Sequence, residues 1–171
     1  MTEKTTDYKT LLFNENVQTD KYKDHLIEQY KLYVEMADRL SLRRFHANTF
    51  FLSLNTGLVA ILGYLKSIMT AKDFSSTVWI ISMSGVILCY MWYRLIKSYK
   101  DINTAKFSII HEIEKKLPIS PYKTEWEMVE KGENPQKYLP FTHIEIYIPW
   151  IFLIIHFFVI INYVLTYKIV S

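Results

Sequence analysis

Apolar and polar positions alternate along this chain in blocks of unequal kind. Three blocks carry no Asp, Glu, Lys or Arg: residues 45–65, 74–93 and 146–167, which are 21, 20 and 22 residues long. A helix needs about 20 mostly apolar residues to cross ~30 Å of hydrocarbon. The pattern therefore predicts three transmembrane helices. Two polar blocks, residues 1–44 and 94–145, separate or precede them and pull the mean hydropathy down to +0.05.

Within the polar blocks the spacing is helical. Residues 1–19 are irregular and read as a loose tail. From Asp20 onward Leu26, Tyr30, Tyr33, Ala37 and Leu40 recur at four, three, four and three, marking one face of an amphipathic helix over residues 20–44. Glu35 and Arg39 form an i,i+4 pair on its solvated side. No Gly or Pro separates this helix from the first span, so one helix is expected to run unbroken to Leu65. A short external loop, residues 66–73, leads to the second span. Leu95, Ser98, Ile102, Ala105 and Ile109 continue that span with the spacing of a coiled-coil seam. Pro118 predicts an end at Leu117. Ser120-Pro121 reads as an N-cap and first-turn proline for a short helix through Lys131, with Gly132 as its stop. Thr142-His143-Ile144-Glu145 has the form of a capping box in front of the third span. Pro149 predicts a kink where that helix enters the membrane. Residues 168–171 follow it. The expected fold is all-α: a three-span subunit with long cytoplasmic helical extensions.

Charge adds orientation. Arg39, Arg43 and Arg44 precede the first span, and Arg94, Lys97, Lys100 and Lys106 follow the second. Positive residues near span ends favour the cytoplasm. This places the N-terminus and residues 94–145 inside and the C-terminus outside. The polar first forty-odd residues lack a short apolar core, so the first span is expected to act as its own insertion signal. Arg39, Arg43, Arg44 and Arg94 are candidate membrane-surface charges, and Asp38 with Arg39, Arg43 and Arg44 has three readings: binding lipid headgroups, pairing with Glu145, or setting topology alone. A net charge of +3, scattered along the chain, gives no footprint for nucleic acid.

The spans are unequal in polarity. The first carries Asn48, Thr49, Ser53, Asn55 and Thr56. Thr49, Ser53, Thr56, Ala60 and Gly63 fall on one narrow ridge of small residues, with Asn48 and Asn55 a heptad apart on the adjacent stripe. Small residues permit close helix contact, and amides or hydroxyls bond across it. The same residues could line an aqueous pore in an oligomer. The two readings coexist if one stripe packs while its neighbour faces water. In the second span Val78, Ser82, Gly85 and Cys89 share a face that suggests another helix contact. Cys89 reads as a small buried residue. His156 is the ionisable group deep in the third span, where a structural hydrogen bond and a functional role both stand as readings. Trp79, Trp92, Tyr93, Tyr147 and Trp150 lie near span ends and read as interfacial anchors.

Signatures of catalysis are missing. His111-Glu112 begins like a zinc-protease motif, but Lys115 stands where the second histidine belongs. Neither a Gly-rich phosphate loop nor a nucleophile elbow is present, and no Cys/His cluster has metal-ligand spacing. Glu112, Glu114, Glu125, Glu127 and Glu130 alternate with lysines and read as a solvated face. No enzyme activity, metal or cofactor is expected.

Several stretches resemble a known family. They are Glu28-Gln-Tyr-Lys-Leu-Tyr-Val-Glu-Met-Ala-Asp38, Thr49-Phe-Phe-Leu-Ser-Leu-Asn55, Cys89-Tyr-Met-Trp-Tyr-Arg-Leu-Ile-Lys-Ser-Tyr99, His111-Glu-Ile-Glu-Lys-Lys-Leu-Pro118 and Tyr138-Leu-Pro-Phe-Thr-His-Ile-Glu145. From about Tyr22 to Phe157 the chain resembles the small bacterial membrane proteins of the RipA family of octameric membrane proteins. The resemblance implies a bacterial inner-membrane protein that assembles with itself, as a ring of eight. It carries over no functional residue. A more distant likeness is to two-span bacterial defence effectors of the SLATT type, from which the third span departs. Two roles follow as expectations: a pore or channel-like assembly, or a membrane scaffold or stress effector that docks a soluble cytoplasmic partner. Membrane lipids would surround either.

Overall fold

The computed structural model describes residues 11–14 and 20–170, and the side chains of these except residues 71–73, 75, 76 and 166–170. The expected tail over residues 1–19 lies largely outside the described residues. Every regular element among the described residues is helical. Helix α1 (Tyr22–Ile68) has 47 residues, and α2 (Ala71–Glu114) has 44. Helix α3 (Pro121–Met128), a 3-10 turn (Glu130–Gly132), α4 (Phe141–Glu145) and α5 (Ile148–Val170) complete the order. Three of the helical segments, Tyr22–Ile68, Thr77–Glu114 and Phe141–Leu165, are long and apolar enough to cross a membrane.

The absence of Gly and Pro between residues 20 and 56 has the expected consequence. The first amphipathic helix and the first span are one element, ~70 Å long at 1.5 Å per residue. Only Met69 and Thr70 separate α1 from α2, a shorter connection than residues 66–73 suggested. Helix α2 ends at Glu114, three residues before the expected Leu117.

The chain divides into two compact units. One contains residues 1–41 and 101–139. In it the predicted face of α1 is turned inward: Leu26 and Ala37 are buried, and Tyr30, Tyr33 and Leu40 are partly covered. Ile110 and Ile113 of α2 are buried there too. The ammonium of Lys106 lies 4.4 Å above the Tyr33 ring, a cation–π contact that lets a lysine stem cover apolar surface. Helix α3 buries none of its residues. It stops at Met128 rather than Lys131, because Glu130 and Lys131 take φ values of 52° and 56°, followed by Gly132 at 72°. The left-handed conformation costs a non-glycine residue ~1 kcal/mol. The Glu130 carboxylate offsets part of that cost by accepting from Asn134 Nδ2 and Lys137 Nζ at 3.2 and 2.9 Å.

The other unit contains residues 42–100 and 140–171 and holds three spans. Its α1 and α2 portions run antiparallel: Asn48 meets Trp92, and Asn55 meets Cys89. Helix α5 is antiparallel to α2 in turn, pairing Trp150 with Tyr93, Phe152 with Trp92 and Tyr163 with Trp79. The inward face of α2 is a strict series, with Val78, Ser82, Gly85, Cys89, Trp92 and Ile96 all buried at spacings of four, three, four, three and four. The face expected from Val78 to Cys89 is therefore an interior face, and it extends two turns further. Between α4 and α5 the helix breaks over Ile146 and Tyr147. Pro149 is the cause. It has no N–H for the carbonyl four residues back, and its ring crowds that carbonyl.

Candidate functional site

Three polar constellations stand out, one in the first unit and two in the second. In the first unit Glu114 is fully buried. Its Oε1 accepts the Tyr30 hydroxyl at 2.9 Å and the Tyr122 N–H at 2.9 Å, and its Oε2 accepts the Lys123 N–H at 3.0 Å. Tyr122 and Lys123 are the second and third residues of α3, whose N–H groups have no partner within the helix. Glu114 therefore caps α3 from a distance and places a negative charge at its positive end. Ser120, expected as the cap, makes no capping bond; its hydroxyl instead donates to the Glu114 carbonyl at 3.3 Å. The reading of Glu114 as part of a solvated face is corrected. Alternation with lysines gave no hint of a carboxylate that two N–H groups and a phenol hold in the interior. Burial first, and then the bond to Glu114, push the Tyr30 pKa up. Burial also raises Tyr33, and burial with the charges of Asp38, Glu125 and Glu114 raises Tyr122.

The second constellation lies where the first and third spans begin. Arg44 Nε stands 3.6 Å from Glu145 Oε2, with only 18% and 11% of the two side chains exposed. Arg44 Nη1 donates to the Thr142 hydroxyl at 3.1 Å. Of the three readings for this arginine, pairing with Glu145 is the one the geometry selects. The same contacts overturn the capping box. Pro140 occupies the N-cap position of α4, no side chain caps it, and both Thr142 and Glu145 turn to Arg44. Arg39 bonds to Glu35 at 2.7 Å on an exposed face, as its i,i+4 spacing predicts. Arg43 is exposed, and Arg94 Nη1 donates to the Tyr90 hydroxyl at 3.3 Å on the surface.

The third constellation is the interior of the three spans. Asn55 is fully buried; its Oδ1 accepts from Cys89 Sγ at 3.3 Å, and its Nδ2 donates to the Phe51 carbonyl at 2.9 Å. Asn48 Oδ1 accepts from Trp92 Nε1 at 2.9 Å. Trp92 is 1% exposed and stacks on Phe51 at 5.9 Å, so it is a core residue and no interfacial anchor. Trp79, Tyr147 and Trp150 are exposed, as anchors are. His156 is fully buried against Gly85, where an added Cβ would overlap the imidazole.

The five candidate residues of the first span thus separate. Asn48 and Asn55 face the interior of the subunit. Thr49, Ser53 and Thr56 are exposed, and so are Ala60 and Gly63 of the same ridge. A Cβ on Gly63 would meet nothing within 4 Å. The Thr49 hydroxyl donates to the Phe45 carbonyl at 3.0 Å, so it brings no unsatisfied group to that surface. The seam predicted on α2 is also largely outward: Ser98, Ile102 and Ala105 are exposed, while Leu95 and Ile109 are partly covered.

The family model described as octameric membrane protein family (8xMP) matches residues 27–165. The chain belongs to the octameric membrane protein family. The match spans all three apolar helices and both units, and it carries the family description without the narrower RipA designation. No curated protein and no solved structure matches the chain. Among the described residues of this octameric membrane protein family member, no three His, Cys, Asp or Glu side chains gather as a metal site. The constellations above are hydrogen-bonded or ion-paired groups within one unit each, and their chemistry is that of packing and capping.

Proposed function

We infer that this chain is a non-enzymatic subunit of a homo-octameric ring in the bacterial inner membrane, and that the ring acts as a scaffold. The observation that carries the reading is the division of the first span. Its amides bond inside the subunit, Asn48 through Oδ1 and Asn55 through both ends, and its small residues Thr49, Ser53, Thr56, Ala60 and Gly63 form an outward ridge. Lipid tails are as apolar as leucine, so helices associate in a bilayer through close packing, and small residues allow it. A neighbouring copy of the chain is the occupant that the family description supports. The arginines before the first span and the basic residues after the second support a cytoplasmic first unit.

The scaffold role draws support from α3. It buries none of its residues and presents Trp126 and Met128 at 39% and 66% exposure, beside Ile119 at 72%. These exposed apolar side chains lie outside a membrane span and are open to a partner, with Trp126 and Met128, two residues apart, on different sides of the helix. A soluble cytoplasmic protein is the proposed partner. A channel role has less behind it, because Asn48 and Asn55, the amides that would line a passage, bond within the subunit. Imaging of the purified particle tests the octamer and shows whether its axis is open. Planar-bilayer recordings at varied voltage, pH and tension should show no conductance. Unitary currents would replace the scaffold reading with the channel. Trp126→Asp with Met128→Asp should abolish copurification of a soluble partner and spare the octamer; the same soluble proteins retained by the variant would count against docking at α3.

A further inference from the structure

His156 sits eight residues into α5, ~12 Å along its axis. Its side chain is fully buried, and no protein group among the described residues bonds to either ring nitrogen. The Ser82 hydroxyl, also fully buried, is likewise without a protein partner. Gly85 connects the two. The imidazole rests against the Gly85 backbone in the space a Cβ would fill, and Ser82 lies one turn earlier on the same buried face of α2. Positions three apart on a helix place their Cβ atoms ~5–6 Å from each other. The Ser82 hydroxyl and the His156 ring therefore lie about one helical turn apart along α2 and make no direct bond, a placement in which one intervening oxygen can serve both.

Burying polar groups without hydrogen bonds is costly, and hydrocarbon supplies no relief. Full burial also excludes lipid headgroups and side chains of a neighbouring subunit as partners for the ring. The guest must be small and internal. It must be uncharged, because residues 45–65, 74–93 and 146–167 contain no Asp, Glu, Lys or Arg to balance a charge. It must donate and accept, because a neutral imidazole offers one donor and one acceptor, and a serine hydroxyl offers both. Water meets all these conditions, and a buried water typically has two to four polar partners.

We propose that Ser82, Gly85 and His156 form an internal water-binding site within the membrane-spanning unit, with a water bridging the serine hydroxyl to the imidazole. Gly85 is the positioning residue, since any side chain there displaces the ring. The bound water gives the His156 ring a proton-exchange partner in the middle of the span. The site is internal to one subunit and stands or falls independently of the octamer and of its role.

Water-edited solid-state NMR tests it on the full chain in lipid bilayers, with the His156 ring signals identified by their loss in His156→Gln. Magnetisation from water should reach the His156 ring severalfold faster than it reaches the methyl groups of Val78 and Ile160, which are buried in the same unit. Ser82→Ala should slow that transfer while leaving the Val78 and Ile160 rates unchanged. A wild-type ring that builds up as slowly as those methyl groups is dry, and that result overturns the proposal. Fast transfer that Ser82→Ala leaves untouched overturns the bridge to serine. The wild-type comparison stands even where Ser82→Ala fails to fold.

Discussion

The Tyr30 hydroxyl donates to the Glu114 carboxylate at 2.9 Å, joining residues 84 apart in sequence. The same carboxylate holds the first turn of α3. One buried side chain thus fastens the front of α1 and the start of α3 to the end of α2. Glu114→Ala removes three hydrogen bonds and leaves two backbone N–H groups and a phenol without a partner. Bonds to charged groups are worth ~1.5–3 kcal/mol, and the loss of a cap costs ~1 kcal/mol. A loss of about 3 kcal/mol or more in this unit is expected, read as faster proteolysis between Lys115 and Lys137. Tyr30→Phe should cost less, because Glu114 keeps both N–H donors. Equal proteolysis rates for wild type and Glu114→Ala would contradict the capping role.

Alkaline pH should loosen this unit. The pKa values of Tyr30, Tyr33 and Tyr122 are all raised by burial, with Glu114 adding to the shift at Tyr30 and Tyr122. A group whose folded pKa exceeds its unfolded value stabilises the fold below the unfolded pKa. That contribution fades as pH climbs from the unfolded pKa toward the folded one. The unfolded phenol titrates near 10, so stability should fall progressively above pH ~10. Ultraviolet titration should find Tyr30, Tyr33 and Tyr122 ionising later than ordinary phenols. Tyr30→Phe should remove one from that late group and flatten the alkaline loss. A single transition near 10 for every tyrosine would contradict this.

Much of this architecture was legible before any coordinate. The four-three spacing from Leu26 to Leu40 named the inward face of α1, and the one from Val78 to Cys89 named that of α2, because periodicity reports burial directly. What escaped were polar residues whose partners lie far along the chain. Glu114 sits among lysines like a surface residue, and Tyr30 and Tyr122, which would have revealed it, are 84 and 8 residues away. Thr142 and Glu145 matched a local capping pattern, but Arg44, 98 residues from Thr142, takes both. Asn48 and Asn55 looked like candidates for a passage because a single helix gives no sign of which adjacent stripe faces its neighbours. Trp92 lies near a span end in sequence, yet Phe51 and Asn48 draw it inward.

The Arg44–Glu145 pair should behave as a buried ion pair. Removing one member strands the other charge, which costs ~3–5 kcal/mol, whereas removing both costs less than the sum. Arg44→Ala and Glu145→Ala should each lower thermal stability in detergent, and the double variant should recover part of the loss. Additive losses would indicate that the two side chains do not interact. Arg44→Lys should fall short of wild type, because an ammonium cannot reproduce the guanidinium fork that reaches Glu145 and Thr142 together.

Cys89 offers a probe of the interior. It is 1% exposed, and its thiol donates to Asn55. A membrane-permeant maleimide should leave it unmodified in the native protein and label it on denaturation. Asn55→Ala removes the thiol's acceptor and opens a cavity beside it, so slow labelling should appear without denaturant. Interhelical bonds of this kind contribute ~0.6–2 kcal/mol, enough to raise local opening by a measurable factor and too little to unfold the unit. Rapid labelling of the wild type would mean that this face of α2 is reachable from outside.

The two stripes of the first span separate assembly from folding. Thr49, Ser53, Thr56, Ala60 and Gly63 are exposed, so enlarging them changes little within a subunit. Asn55 is enclosed, so changing it disturbs the subunit itself. Ala60→Leu and Gly63→Leu together should shift native mass spectra from the octamer toward smaller species, while the helix content and the Cys89 labelling of the chain stay unchanged. Asn55→Leu should do the reverse, exposing Cys89 first and weakening the octamer only as the subunit loosens. If Ala60→Leu with Gly63→Leu leaves the octamer intact, the ridge faces lipid. The next surface to test would be Ile102 and Ala105 on α2, which are exposed along the predicted seam. The ordering of these effects is what matters. An interface variant loses neighbours before it loses its own packing, and a core variant loses packing first.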